Sequence, residues 1–144
     1  MKYTYDWSPE FGYASCTIHD HDNQFTGKAV CHPDDEDMKN RLAGQNIAEG
    51  RASIKYLQHY RDNELRPQLK ILKQLYYSMN RSKQFNRKSY EARMLFRQIS
   101  RITKEIEEVN ADIKTLKIMI SAYIDQKDAE YKKIRSHRAA KDNQ

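Results

Sequence analysis

Residues 95–123 read LFRQISRITKEIEEVNADIKTLKIMISAY. Apolar side chains recur along this stretch at alternating steps of four and three. They are Leu95, Ile99, Ile102, Ile106, Val109, Ile113, Leu116, Ile120 and Tyr123. This spacing predicts one apolar seam on a long helix, which another helix must cover. We predict that this helix begins around residues 86–89 and ends near His137.

A second, weaker seam lies earlier in the chain and predicts the covering helix. It consists of Ile54, Leu57, Arg61, Leu65, Gln68, Leu72, Leu75 and Met79. Pro67 falls inside this helix and lacks a backbone N–H, so we expect a kink or a break near residues 63–67. The helix itself is predicted to end at about Met79.

The link between the two helices, residues 80–88, is short, so the helices should run antiparallel as a hairpin. Folding the chain back about residue 83 sets Leu65 near Ile102. The same register brings Arg61 close to Glu105, where it would form an ion pair that fixes the register. Because the covering seam is imperfect, we expect the exposed remainder of the longer seam to form a homodimer.

The first forty residues show a two-residue period instead. Ala14, Cys16 and Ile18 alternate with polar residues, which predicts the inner face of a strand. The extended stretches are 3–7, 13–19 and 25–31, and they predict a small antiparallel meander. Because so small a sheet is marginal in water, it must pack on a helix.

Residues typical of helix ends follow the strands and predict the domain boundaries. Pro33 and the acids that follow it predict the first turn of a short helix that stops at Gly44, and Asn46 resembles the cap of the next helix. The expected fold class is mainly α (α+β), a strand module packed on one end of a helical hairpin. The predicted units are a strand module with a short acidic helix (1–45), the hairpin with its tip near 80–88 (46–138) and a frayed tail (139–144).

Charge is strongly segregated in this 144-residue chain, whose net charge is +6 and whose mean hydropathy is −1.02. Residues 1–40 carry a net charge of −5, and residues 70–97 carry +7 with Glu91 as their one acid. With four glycines, no Gly-rich phosphate loop and no nucleophile elbow, the sequence favours a protein that is not an enzyme and needs no cofactor. Without a signal peptide or an apolar run long enough to span a membrane, we expect a cytoplasmic protein with reduced thiols.

The predicted hairpin tip mixes basic and aromatic side chains and is the strongest functional signal. The candidate binding residues are Lys73, Tyr76, Tyr77, Arg81, Lys83, Phe85, Arg87, Lys88, Tyr90, Arg93 and Arg97, with Lys70 and Phe96 beside them. Bases and flat rings suit single-stranded nucleic acid or a nucleotide. They equally suit docking on an acidic protein surface, and the bland alternative is a solvated helix end.

Metal-capable side chains cluster only near the strands. Cys16, His19, Cys31 and His32 could supply four zinc ligands, although the spacing matches no specific zinc pattern and both cysteines suit a small core. A metal-dependent hydrolase built on the nearby histidines and acids is a further hypothesis, opposed by the divergence of adjacent acids on one helical turn. The sequence therefore predicts no firm metal site.

Two stretches carry a family resemblance: residues 25–35, FTGKAVCHPDD, and residues 72–79, LKQLYYSM, continuing through 85–91, FNRKSYE. The chain resembles small accessory proteins of phages and mobile elements of Gram-positive bacteria, which have strands followed by a helical hairpin. This resemblance implies a bacterial host cell and a function in binding. The expected partner is a host defence protein or a protein–nucleic acid complex such as a CRISPR nuclease; capture of a nucleotide signal is the alternative.

Overall fold

The computed structural model describes residues 1–30, 38–82, 86 and 89–143. Three strands form an antiparallel meander in the order β1-β2-β3, followed by a helical hairpin. The elements are β1 (Lys2–Ser8), β2 (Tyr13–Asp20), β3 (Asn23–Val30), α1 (Met38–Tyr60), a π-helical turn (Arg61–Leu65), α2 (Arg66–Asn80) and α3 (Tyr90–Asp142). This mainly α architecture with an N-terminal sheet confirms the predicted fold class.

The sheet has one buried face, as the two-residue period predicts. Ala14, Cys16 and Ile18 of β2 are at most 1% exposed, and Phe25 and Ala29 of β3 complete the same face. The helix that covers this face is α1, which contributes Ala48 and Ala52 to the core. Gly27 allows the closest approach, because a Cβ atom there would collide with the Ala48 carbonyl oxygen and the Ala52 amide nitrogen.

The opposite side of α1 packs on α3, so α1 is the common wall between the sheet and the hairpin. A second core, built from Leu65, Ile102, Val109 and Ile113, joins the two arms. Leu65 and Ile102 lie in it together, as the predicted register requires. All nine residues of the longer seam are buried or half-buried, with the most buried at its centre.

The register is fixed by polar contacts that differ from the predicted ion pair. Glu105 accepts a hydrogen bond from the Tyr60 hydroxyl at 2.7 Å, whereas Arg61 donates to Asn110 Oδ1 at 2.7 Å. The carboxylate that pairs with Arg61 is its neighbour Asp62, at 2.9 Å. The predicted Arg61–Glu105 pair was wrong because Tyr60 occupies that position.

The predicted irregularity near Pro67 is a π-helical turn, and the chain stays helical through it. The Arg66 N–H donates to the Arg61 carbonyl, five residues back. This adds one residue to the turn and changes the phase of the seam. Gln68 and Leu75, predicted to face α3, are therefore exposed, and Leu69 and Tyr76 are half-buried in their place.

Two predicted boundaries were wrong. A single helix, α1, spans the predicted stop at Gly44 and the predicted cap at Asn46. Gly44 is buried within α1 and therefore does not end a helix. At the other end, α3 continues to Asp142, so most of the predicted frayed tail, 139–144, is helical.

Candidate partner-binding site

The hairpin tip is formed by the end of α2 and the start of α3. Ser89 caps α3, its hydroxyl accepting a hydrogen bond from the Ala92 N–H at 3.3 Å. Four of the candidate binding residues, Lys83, Phe85, Arg87 and Lys88, lie outside the described residues. Arg81 is the residue after the end of α2, and the other candidates lie on the two helices, which hold them at helical spacing near the tip.

The described bases of the tip are exposed. They are Lys70, Lys73, Arg81, Arg93 and Arg97. None of the ion pairs between described residues involves any of them. The one acid in residues 70–97, Glu91, cannot offset eight bases, so the tip carries a concentrated positive field.

Aromatic rings stand exposed among these bases. Tyr77, Tyr90 and Phe96 are 59%, 67% and 59% exposed. The rings of Tyr76 and Tyr77 meet edge to face, with centroids 6.4 Å apart. Large exposed rings beside bases are typical of interfaces, because each ring buries a large area and the bases give electrostatic complementarity.

Two shallow grooves organise the tip. The tip groove has a volume of about 280 Å³ and is lined by Tyr76, Ala92, Arg93, Phe96 and Arg97. The flank groove has a volume of about 330 Å³ and is lined by Arg66, Leu69, Lys70, Lys73, Gln74 and Tyr77. Lys73 and Tyr76 are three residues apart on α2 and share a face, so the two grooves adjoin. Together they form one basic aromatic surface.

Sequence reasoning also missed an exposed aliphatic pair on α2. Ile71 and Leu75 are 57% and 50% exposed and lie four residues apart on α2, so they are neighbours on one face. The sequence assigned Leu75 to the seam, and only the π-helical turn turns it outward. Ile71 and Leu75 line neither groove, because the helical period places them on the side of α2 away from Lys73 and Tyr77.

A larger cleft at the opposite end of the hairpin also escaped the sequence analysis. It has a volume of about 580 Å³ and lies between β3, α1 and α3. Ala29, Ile47 and Ile124 give it apolar walls, and Arg51 and Lys127 add positive charge. Arg51 is already engaged, because it donates to the Lys28 carbonyl oxygen at 2.7 Å, and Lys127 pairs with Glu130. No sequence signal links these residues, since they come from three elements.

The weak zinc candidates are not brought together by the described part of the chain. Cys16 faces α1, while His19, three residues along the same strand, lies on the other face and bonds to Thr4 at 3.0 Å. Cys31 and His32 lie outside the described residues. Burial raises the pKa of the Cys16 thiol, with Glu49 adding to the effect, so Cys16 is a protonated core residue.

Comparisons with known proteins returned no match to any family model, curated protein or solved structure. Among the described helices, none is long and apolar enough to cross a membrane. Function is therefore inferred from the surface of the tip itself.

Proposed function

We propose that this chain is a non-enzymatic binding protein that docks on an acidic surface of a partner protein through its hairpin tip. The observation that carries the proposal is the set of exposed bases without an ion pair among the described residues, interleaved with exposed aromatic rings. A solvated helix end has no need of three large rings that are more than half exposed.

A protein interface offers a place for each part of the tip. The exposed rings that line the two grooves, Tyr77 and Phe96, would form its apolar centre, and the bases would form its charged surroundings. Binding to single-stranded nucleic acid is the alternative outcome of the test.

The resemblance to accessory proteins of phages and mobile elements suggests which partner to look for. We infer that the partner is a component of a bacterial host defence system, such as a CRISPR nuclease, and that docking inhibits it. An acidic or nucleic-acid-mimicking surface on such a component would complement the tip.

Charge reversal at the tip tests the proposal. The variant K73E/R93E/R97E should lose capture of its partner from a Gram-positive host lysate, while helicity by circular dichroism is unchanged. The matched control K114E/K117E/K133E reverses three exposed lysines of α3 away from the tip and should capture as the wild type does. The same net charge change in both variants separates a local contact from a general charge effect.

Nuclease treatment and a direct binding assay separate the two kinds of partner. Capture that survives nuclease and needs the tip supports protein docking. Capture lost on nuclease treatment, together with salt-sensitive binding to random single-stranded DNA, would assign the tip to nucleic acid instead. If the tip variant captures the same partner as the wild type, the tip is not the interface.

A further inference from the structure

The rest of the fold makes hydrogen bonds to the backbone at one edge of the sheet and not at the other, within the part of the chain that the structure describes. At the β3 edge, the Thr26 carbonyl accepts a hydrogen bond from Lys55 Nζ and the Lys28 carbonyl accepts one from Arg51, both at 2.7 Å. These two α1 side chains occupy acceptors that an added strand would need. Among the described residues, no side chain of another element bonds to the backbone of β1. The β1 edge is therefore open to strand addition.

The helices cover little of the β1 side, where the Tyr5 hydroxyl donates a hydrogen bond to Glu49 of α1 at 3.2 Å. α3 lies on the β3 side of α1, since the cleft between them is lined by Ala29 and Val30 of β3 and by no residue of β1. On the face that α1 covers, Tyr3 and Tyr5 of β1 remain 42% and 44% exposed. Aromatic side chains that overhang an open edge give an incoming strand apolar area to bury.

The charge pattern of β1 matches a second copy of itself. In an antiparallel pair centred on Thr4, Lys2 of each copy lies opposite Asp6 of the other, and Tyr3 lies opposite Tyr5. Centring the pair one residue later, on Tyr5, sets Lys2 opposite Ser8 and leaves both charges without a partner. Self-complementarity about Thr4 is what a two-fold interface requires.

We propose that two copies of this chain associate through β1, antiparallel and with Thr4 on the two-fold axis, to form a continuous six-stranded sheet. Each Lys2 pairs with Asp6 of the second copy on the outer face. On the inner face, Tyr3 and Tyr5 of both copies fill the gap between the two α1 helices. This inference is independent of the function proposed for the tip and uses the opposite end of the molecule.

The dimer predicted here differs from the one that the sequence suggested. The sequence placed a homodimer on the exposed remainder of the α3 seam, but every seam position is at least half-buried against its own chain. The open edge of β1 supplies a different surface for the same stoichiometry.

Charge exchange tests the register. Sedimentation velocity over a micromolar concentration series should show a dimer for the wild type. Either single reversal, K2E or D6K, sets like charges opposite each other twice, and we expect it to weaken dimerisation about tenfold. The double variant K2E/D6K restores both pairs and should recover the wild-type affinity. Both side chains are exposed, so the fold has no reason to change.

Disulfide trapping tests the edge. With Cys31 replaced by serine, the substitution T4C should give a covalent dimer on mild oxidation, because the two Thr4 residues face each other across the axis. The matched control T26C lies on the same outer face at the blocked β3 edge and should give no covalent dimer. Cys16 is fully buried and does not compete.

Each alternative outcome overturns the proposal. If the wild type sediments as a monomer over the whole concentration series, the proposed dimer does not form. A dimer that ignores both charge reversals uses another surface or register. Cross-linking of T26C in place of T4C would assign the interface to β3. None of these results decides whether the tip is the interface with the partner, which the tip variants test separately.

Discussion

A substitution at Gly27 tests most directly how the sheet packs against α1. Its absent side chain lets β3 contact the backbone of α1, and an alanine Cβ atom would fall far inside van der Waals distance of the Ala48 carbonyl oxygen and the Ala52 amide nitrogen. These are main-chain atoms of successive helical turns, so neither can rotate away. Relief requires α1 as a whole to move off the sheet.

The expected cost follows from the core that such a movement would loosen. Overpacking costs about 1–3 kcal/mol when side chains can adjust, and the main-chain obstacle places G27A at the upper end, at about 3 kcal/mol. Alanine is preferred over glycine in a strand interior by about 0.5–1 kcal/mol, which offsets part of this cost. We therefore expect the free energy of unfolding to fall by about 2 kcal/mol or more.

The matched control is the same substitution on the other side of α1. At Gly50, an added Cβ atom would lie 2.8 Å from Cδ1 of Ile120, the end of a flexible side chain. That side chain can rotate, and alanine gains about 1 kcal/mol over glycine in a helix. G50A should therefore unfold within about 1 kcal/mol of the wild type.

Urea denaturation at one protein concentration, followed by helical ellipticity and by fluorescence of Trp7, the single tryptophan, measures both variants. If G27A unfolds within the range expected for G50A, the close contact between β3 and α1 is refuted. Equal destabilisation by both variants would instead mean that glycine content, and not the contact, decides stability.

Two further predictions concern the turn and the helix register. His21 adopts a positive φ of 53° in the two-residue β2–β3 turn, so H21G should raise the free energy of unfolding by about 0.5–1 kcal/mol. D22G replaces a residue without positive φ and should lower the free energy of unfolding. Equal effects of the two variants in urea denaturation would contradict backbone strain at His21. The hydrogen bond to Glu105, together with burial, raises the pKa of Tyr60 to about 12. The stability that this hydrogen bond contributes is therefore complete below about pH 10, the pKa of tyrosine in the unfolded chain, and is lost as the pH rises through about 12. Y60F should cost about 1–2 kcal/mol at pH 8 and lose less stability than the wild type between pH 10 and 12, and parallel pH profiles of the urea midpoint would refute this assignment.

The sequence was most informative where one physical constraint acts alone. The α3 seam and the buried face of β2 follow directly from the periods of helix and strand, and both are confirmed. Gly44 misled because glycine is common at helix ends and is also tolerated inside a helix, and the sequence cannot distinguish these cases. Only the backbone shows that Gly44 lies within α1.

The phase of the first helical arm could not be predicted, because it depends on one extra residue in a backbone turn. Pro67 marks the place, yet a missing N–H is compatible with a break, a kink or a π-helical turn. The choice decides whether Leu75 faces the core or the solvent. The basic charge of the tip follows from composition alone, whereas the direction in which Leu75 faces depends on the backbone.

The continuity of α1 links the two surfaces proposed to bind partners. One helix carries the sheet on one side and α3 on the other, so the β1 edge and the hairpin tip are held by the same packed body. Pairing of two copies through β1 therefore fixes the positions of two tips relative to each other. A partner that offers two acidic sites at a matching separation gains affinity from the second contact without any new interaction, whereas a partner with one site gains nothing. The strand module would then act on function by setting the spacing of the tips and not by touching the partner.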